Sequence, residues 1–199
     1  MIEDIKHVGL FRVDLLRFVL DIDHKAIADY TLEHSKTWDR YTTFHDRELN
    51  AKWQENLPDR EKFEQALAKG ANEFVERTER RKFTKNHGGQ YLHYWVSVYR
   101  KHDQHGTHNH PNSLIAGTYY PLAGKGASSI LLESPWVNHI MHDTLPQSKH
   151  YFDYKPKTGD MIMWPSWIAH RVPPQESDDG RIAISFNFDY GRYHQETYD

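Results

Sequence analysis

A chain of 199 residues that is 38% hydrophobic and 14% aromatic carries enough apolar surface for a packed core, which excludes a disordered polymer and suits a single domain. Its net charge of −3 provides no field for a phosphate backbone or an anionic membrane, so nucleic-acid binding is not expected. With no cysteine, disulfides, iron–sulfur clusters, thiolate zinc sites and cysteine nucleophiles are all excluded, and any metal must be held by His, Asp or Glu.

In chain order, Val8 to Leu20 is apolar but mixes both periodicities, and is read as a short strand leading into a turn. Residues 23–38 set Ile27, Tyr30 and His34 at helical spacing. Residues 58–81, opened by Pro58 and Asp59, set Phe63, Leu67, Phe74 and Val75 on one broad face; two amphipathic helices are predicted. After the "NHGG" at 86–89 the character changes to short β-like runs at 90–99, 114–121, 127–133, 149–154, 160–164 and 181–189, separated by Gly, Pro, Asn and Asp. The pattern predicts one domain, with residues 1–88 a mostly helical support and residues 89–199 a β-sandwich whose outer face the helices cover. No basic leader region and no long apolar stretch is seen, so the expectation is a soluble, cytoplasmic protein without a membrane partner.

The stretch "HGTHNHP" places His108 and His110 two residues apart. On a strand, side chains at i and i+2 share a face, so both imidazoles can address one ion, and Pro111, which lacks an N–H, ends the ladder. His102 and His105 lie close by, so a loop of solvated histidines is the plain alternative. Sixty residues on, in "GDMIMWPSWIAHRVPP", Gly159 and Asp160 form a turn, Met161 to Trp164 an apolar strand, and Pro165 with Ser166 break it before His170. His170 is either a surface histidine or the third vertex of a facial triad with three positions left open. In "GRIAISFNFDY", Ile182, Ile184, Phe186 and Phe188 alternate with Arg181, Ala183, Ser185 and Asn187. Either the polar face meets water, or the apolar face lies under the helices while Arg181 and Ser185 point into the sandwich mouth to hold an anion. Alternation does not choose between them.

The combined order HxH, GD, strand, PSW, H-x-V-P and R-x-x-x-S-F-N over residues 90–190 resembles the iron(II)- and 2-oxoglutarate-dependent oxygenases, and within them a group of small oxygenases of bacteria and phages. The resemblance implies a double-stranded β-helix (jelly-roll, cupin-like) fold and an enzyme using Fe(II), 2-oxoglutarate and O2, with hydroxylation of a substrate and release of succinate and carbon dioxide. By the same resemblance His108, His110 and His170 are the metal-binding, catalytic residues, although most of the superfamily has Asp or Glu where this chain has His110. Arg181 then binds the far carboxylate of the co-substrate, with Ser185, Tyr119 and Asn187 as added hydrogen-bonding residues.

Three neutral imidazoles would leave the ion its full +2 charge and draw in a dianion. Proton competition is expected to weaken metal binding as pH falls through about 6–7. His105 is a candidate neighbour or substitute ligand, and Glu133 or Asp103 a candidate partner that orients an imidazole. Trp95, Tyr119, Trp136, Trp164 and Trp167 are candidate substrate walls, each more commonly core packing.

Two rival readings stay open at this level. A cupin-like three-histidine iron dioxygenase would activate its substrate without an oxoacid, and a jelly-roll module would bind a metal or ligand without catalysis. Succinate formation separates the first reading from both. The substrate, a small molecule or a protein, is not legible, and an open sandwich edge is a candidate homodimer interface.

Overall fold

A computed structural model describes residues 13–78, 91–135 and 150–189. In chain order the elements are β1 (Leu16–Val19), α1 (His24–Ser35), α2 (Arg47–Glu55), α3 (Arg60–Thr78), β2 (Tyr91–Tyr99), β3 (His105–His108), β4 (Ser113–Ala123), β5 (Ile130–Glu133), β6 (Tyr151–Tyr154), β7 (Asp160–Pro165), β8 (His170–Val172) and β9 (Arg181–Asp189). Both predicted helices form, and every predicted strand run contains a strand. The sequence reading missed α2, whose start is set by the Asp46 side chain accepting the Leu49 N–H at 2.9 Å. It also did not separate β3 and β8 as strands of their own.

Two antiparallel sheets face each other, with strand orders β1-β7-β4-β9-β2 and β3-β8-β5-β6. The larger sheet is buried on both faces. Its outer face carries Met161 and Met163, Ile115 and Tyr119, Val96 and Val98, and Ile182, Ile184, Phe186 and Phe188, packed against Ile27 of α1, Trp53 of α2 and Phe63 and Leu67 of α3. Its inner face carries Ala116, Tyr120, Ile162, Trp164 and Ala183, packed against Ile130, Leu132 and Val172 of the smaller sheet. Two-sided burial explains why β4 and β7 read as nearly unbroken apolar runs, while β9 keeps a visible alternation.

Asp160 ties the sandwich together at one end. It accepts Arg17 Nη2 at 2.5 Å from β1 and the Tyr154 hydroxyl at 2.6 Å from β6, so one buried carboxylate links the two sheets. Among the described residues, no helix is long and apolar enough to cross a membrane.

Candidate active site

The two sheets leave a cavity of about 290 Å³ between them, and the predicted polar residues converge there. His108 ends β3 and is the cross-strand partner of His170, which begins β8. His110 lies beyond the strand, not on it, and is held by a clamp built from the "PSW" turn. Its N–H donates to the Ser166 carbonyl at 2.9 Å, while Ser166 donates through its own N–H to Leu114 O at 3.1 Å and through its hydroxyl to Ser113 O. The turn that breaks β7 thus fixes the second histidine as well as presenting the third.

The nitrogen ligand atoms of His108, His110 and His170 lie within 4.8 Å of one another. Each ring has an oxygen acceptor at Nδ1: the Gly106 carbonyl at 2.9 Å for His108, the Ile168 carbonyl at 3.0 Å for His170, and the Asn187 side-chain oxygen for His110. An oxygen acceptor requires Nδ1 to be the donor, which leaves Nε2 of each ring with its lone pair free for an ion. The expected carboxylate partners do not take this part, since Glu133 accepts from Thr107 and Asp103 from the Arg100 N–H.

Burial, aided by repulsion from neighbouring histidines, pushes His170 down to about 3; burial also lowers His110. His170 is therefore a neutral donor well below neutral pH, and proton competition at both rings is displaced downward from the ordinary histidine range anticipated from sequence. His105 stands outside the triad. Its ring centroid is 4.3 Å from that of His108, its Nδ1 is hydrogen-bonded to the Tyr41 hydroxyl at 2.5 Å, and burial first, then the unfavourable proximity of His108 and His110, lowers it to about 4.

Arg181 sits at the opposite, closed end and is 1% exposed. Its guanidinium carbon lies 4.4 Å from the Tyr99 ring centroid and 5.1 Å from that of Tyr120, and Nη2 reaches the Tyr120 hydroxyl at 3.5 Å. Its Nε and Nη1 have no hydrogen-bond partner, nor do the buried Thr118 hydroxyl and Trp164 indole N–H, and all three residues line the cavity. A buried polar group left unpaired costs roughly 1–3 kcal/mol, more when charged. Among the described lining residues there is no Asp, Glu or Lys and Arg181 is the one arginine, so the cavity suits an anion carrying hydrogen-bond acceptors.

The other sequence candidates sort by strand parity. Ser185 and Asn187 share the cavity face of β9 with Arg181, as the functional reading of the alternation required. Asn187 is engaged with His110, however, and not set beside Arg181. Tyr119 is corrected outright. It points to the helical side of β4, where its hydroxyl is hydrogen-bonded to His24 Nδ1 at 2.6 Å and its ring packs on Phe63, and its neighbour Tyr120 is the tyrosine that reaches Arg181. The cause is the period of two: in a "YY" pair only one ring can face each side. Trp95 and Trp164 line the cavity, Trp167 is 53% exposed and does not, and Trp136 lies outside the described residues.

Thr118, Tyr120, Tyr99, Tyr41 and Phe44 were not found by sequence reasoning. Thr118 is the register partner of Ser185, a relationship that only strand pairing reveals. Tyr41 and Phe44 come from the segment between α1 and α2, which straps across the outer edge of β2 through Val98 N–H to Tyr41 O at 2.7 Å and Thr43 N–H to Val96 O at 3.0 Å.

Over residues 93–187 the chain matches the family described as "Putative 2OG-Fe(II) oxygenase". No curated protein matches the sequence. Among solved structures, the fold is similar to that of a prolyl-4-hydroxylase from Pseudomonas putida, with a TM-score of 0.57 at 9% identity over 89% of this chain and 92% of that one. AviO1 from Streptomyces viridochromogenes Tue57 gives a TM-score of 0.59 at 13% identity, over 84% of this chain and 82% of that one. HygX from Streptomyces hygroscopicus, solved with nickel and 2-oxoglutarate bound, gives 0.52 at 12% identity over 89% and 82%. At these identities the likeness speaks for the fold, a double-stranded β-helix. The family match, over residues 93–187, spans all three histidines and Arg181, so the β-sandwich of this chain is similar to the 2OG-Fe(II) oxygenases in the segment that carries the site.

Proposed function

We propose that the protein is an Fe(II)- and 2-oxoglutarate-dependent oxygenase that hydroxylates a C–H bond of its substrate. The balance is one substrate, one O2 and one 2-oxoglutarate giving hydroxylated product, succinate and carbon dioxide. The observation that carries this reading is the pairing, in one cavity, of three converging imidazoles with a buried guanidinium that has two unpartnered nitrogens.

The donor set fits both groups. His108, His110 and His170 would hold the ion through Nε2, leaving coordination positions open. Bound there, iron with the oxoacid would supply the oxygen-dependent oxidation that is beyond amino-acid side chains. Arg181 would take the far carboxylate of the co-substrate, with Thr118 and Ser185 on adjoining strands as neighbours. The apolar lining, Ile130, Trp164, Val172 and Ala183 among it, would keep bulk water from the reacting centre and strengthen the charge pairing at Arg181. With three uncharged ligands, the ion's full positive charge would draw the dianion inward.

The three-imidazole set also suits a dioxygenase that needs no oxoacid, and that reading would leave Arg181 without a partner. Anaerobic titration of the Fe(II)-loaded protein with 2-oxoglutarate decides between them. A weak visible charge-transfer band of the chelated oxoacid, followed by succinate formation on admitting O2, is the expected result. Bound iron with no such band would favour the oxoacid-independent enzyme, and no iron binding would favour a non-catalytic module.

A further inference from the structure

His108 and His170 give their Nδ1 protons to main-chain carbonyls, acceptors that any residue at Gly106 or Ile168 would provide. His110 alone relies on another residue's side chain. It stands past the end of β3, flanked by Trp95 with ring centroids 5.8 Å apart and by His108 at 5.2 Å, and these ring contacts hold its plane without choosing which nitrogen carries the proton. A neutral imidazole has one N–H, and the wrong tautomer would aim that N–H, in place of a lone pair, at the ion.

We propose that Asn187 is the positioning residue of the metal centre: its side-chain oxygen takes the His110 Nδ1 proton and so fixes the tautomer whose Nε2 lone pair faces His108 and His170. This rests on the three-histidine reading above and adds to it a role for a residue that the family resemblance had placed at the co-substrate. An amide suits the position because it is an acceptor without charge, and the described cavity residues include no Asp, Glu or Lys beside Arg181. Asn187 also shares its face of β9 with Arg181. One strand therefore sets the anion anchor near one end and the orientation of a metal ligand near the other.

The test uses full-length protein labelled with ¹⁵N-histidine, at a pH where the rings are neutral, with H110A identifying the His110 signals. Long-range ¹⁵N–¹H correlations should show His110 protonated at Nδ1 in the metal-free wild type and in N187D, and a loss of that preference in N187A. In Co(II) titrations followed by absorption, N187A should bind about 10–100-fold more weakly, with N187D restoring most of the affinity. An Nε2–H tautomer in the wild type overturns the assignment without any variant having to fold. So does a Co(II) site that H110A removes and N187A leaves unchanged. Failure of the wild type to bind Co(II) at all would overturn the three-histidine reading and this assignment with it.

Discussion

Arg181 and Tyr99 are cross-strand partners on β9 and β2, and the guanidinium carbon of the one lies 4.4 Å from the ring centroid of the other. The ring's quadrupole holds the cation in place while leaving Nε and Nη1 open. A buried charge without a counter-charge costs stability, and the aromatic contact offsets only part of that cost.

It follows that R181M should make the metal-free protein more stable, by roughly 1–3 kcal/mol, while weakening 2-oxoglutarate binding on the order of 100-fold. Thermal melts and calorimetric titration of the metal-loaded protein read the two effects separately. Unchanged co-substrate affinity would remove Arg181 from the proposed role.

The pH dependence has a definite sign. His170 near 3 and His105 near 4 stay neutral in the folded chain, whereas both take up protons near 6.5 when unfolded. Between those values the unfolded state binds more protons, so stability is complete above about 6.5 and declines as pH falls. For Asp160, burial would push the carboxyl up, but the bonds from Arg17 and Tyr154 outweigh it, and its contribution is lost only below its ordinary range near 4. The urea midpoint of the metal-free protein should therefore drop between pH 6.5 and 4.5, with a shallower drop in H170A. A flat profile in the wild type would contradict buried neutral imidazoles.

Metal removal should be visible at pH 7.5 without any substrate. An ion that binds only the folded chain adds about 2.7 kcal/mol at one hundred times its Kd. A chelator should reverse that rise in melting temperature, H170A should abolish it and H105A should retain it, because His105 lies outside the triad.

The two adjacent tyrosines of β4 should separate cleanly. Y119F loses the bond to His24 and should cost about 1 kcal/mol of stability with no change in co-substrate affinity. Y120L removes a ring beside the guanidinium and should weaken 2-oxoglutarate binding by about 10-fold. The opposite pattern would return Tyr119 to the site.

Gly117 marks a close approach inside the larger sheet. A methyl there would sit 2.3 Å from Phe186 Cζ and 2.7 Å from the Ile162 carbonyl oxygen. G117A should destabilise by roughly 1–3 kcal/mol in denaturant melts, with F186L recovering part of the loss; additive losses in the double variant would place the strain elsewhere.

The sequence by itself determined what local pattern can encode. The switch from helical to β-like periodicity, the alternation of β9, and the order of His108, His110, His170 and Arg181 were all legible, because each depends on residues near one another in the chain or on a recognisable order. Tertiary structure decided what depends on register and on the packing of distant segments. Strand pairing set Thr118 opposite Ser185, parity turned Tyr120 to Arg181 and Tyr119 to His24, and β9 carried Asn187 to His110. The strap that brings Phe44 to the cavity and Tyr41 to His105 is held to β2 by backbone hydrogen bonds and by the Thr42 and Thr43 hydroxyls, long-range pairings that no short motif records.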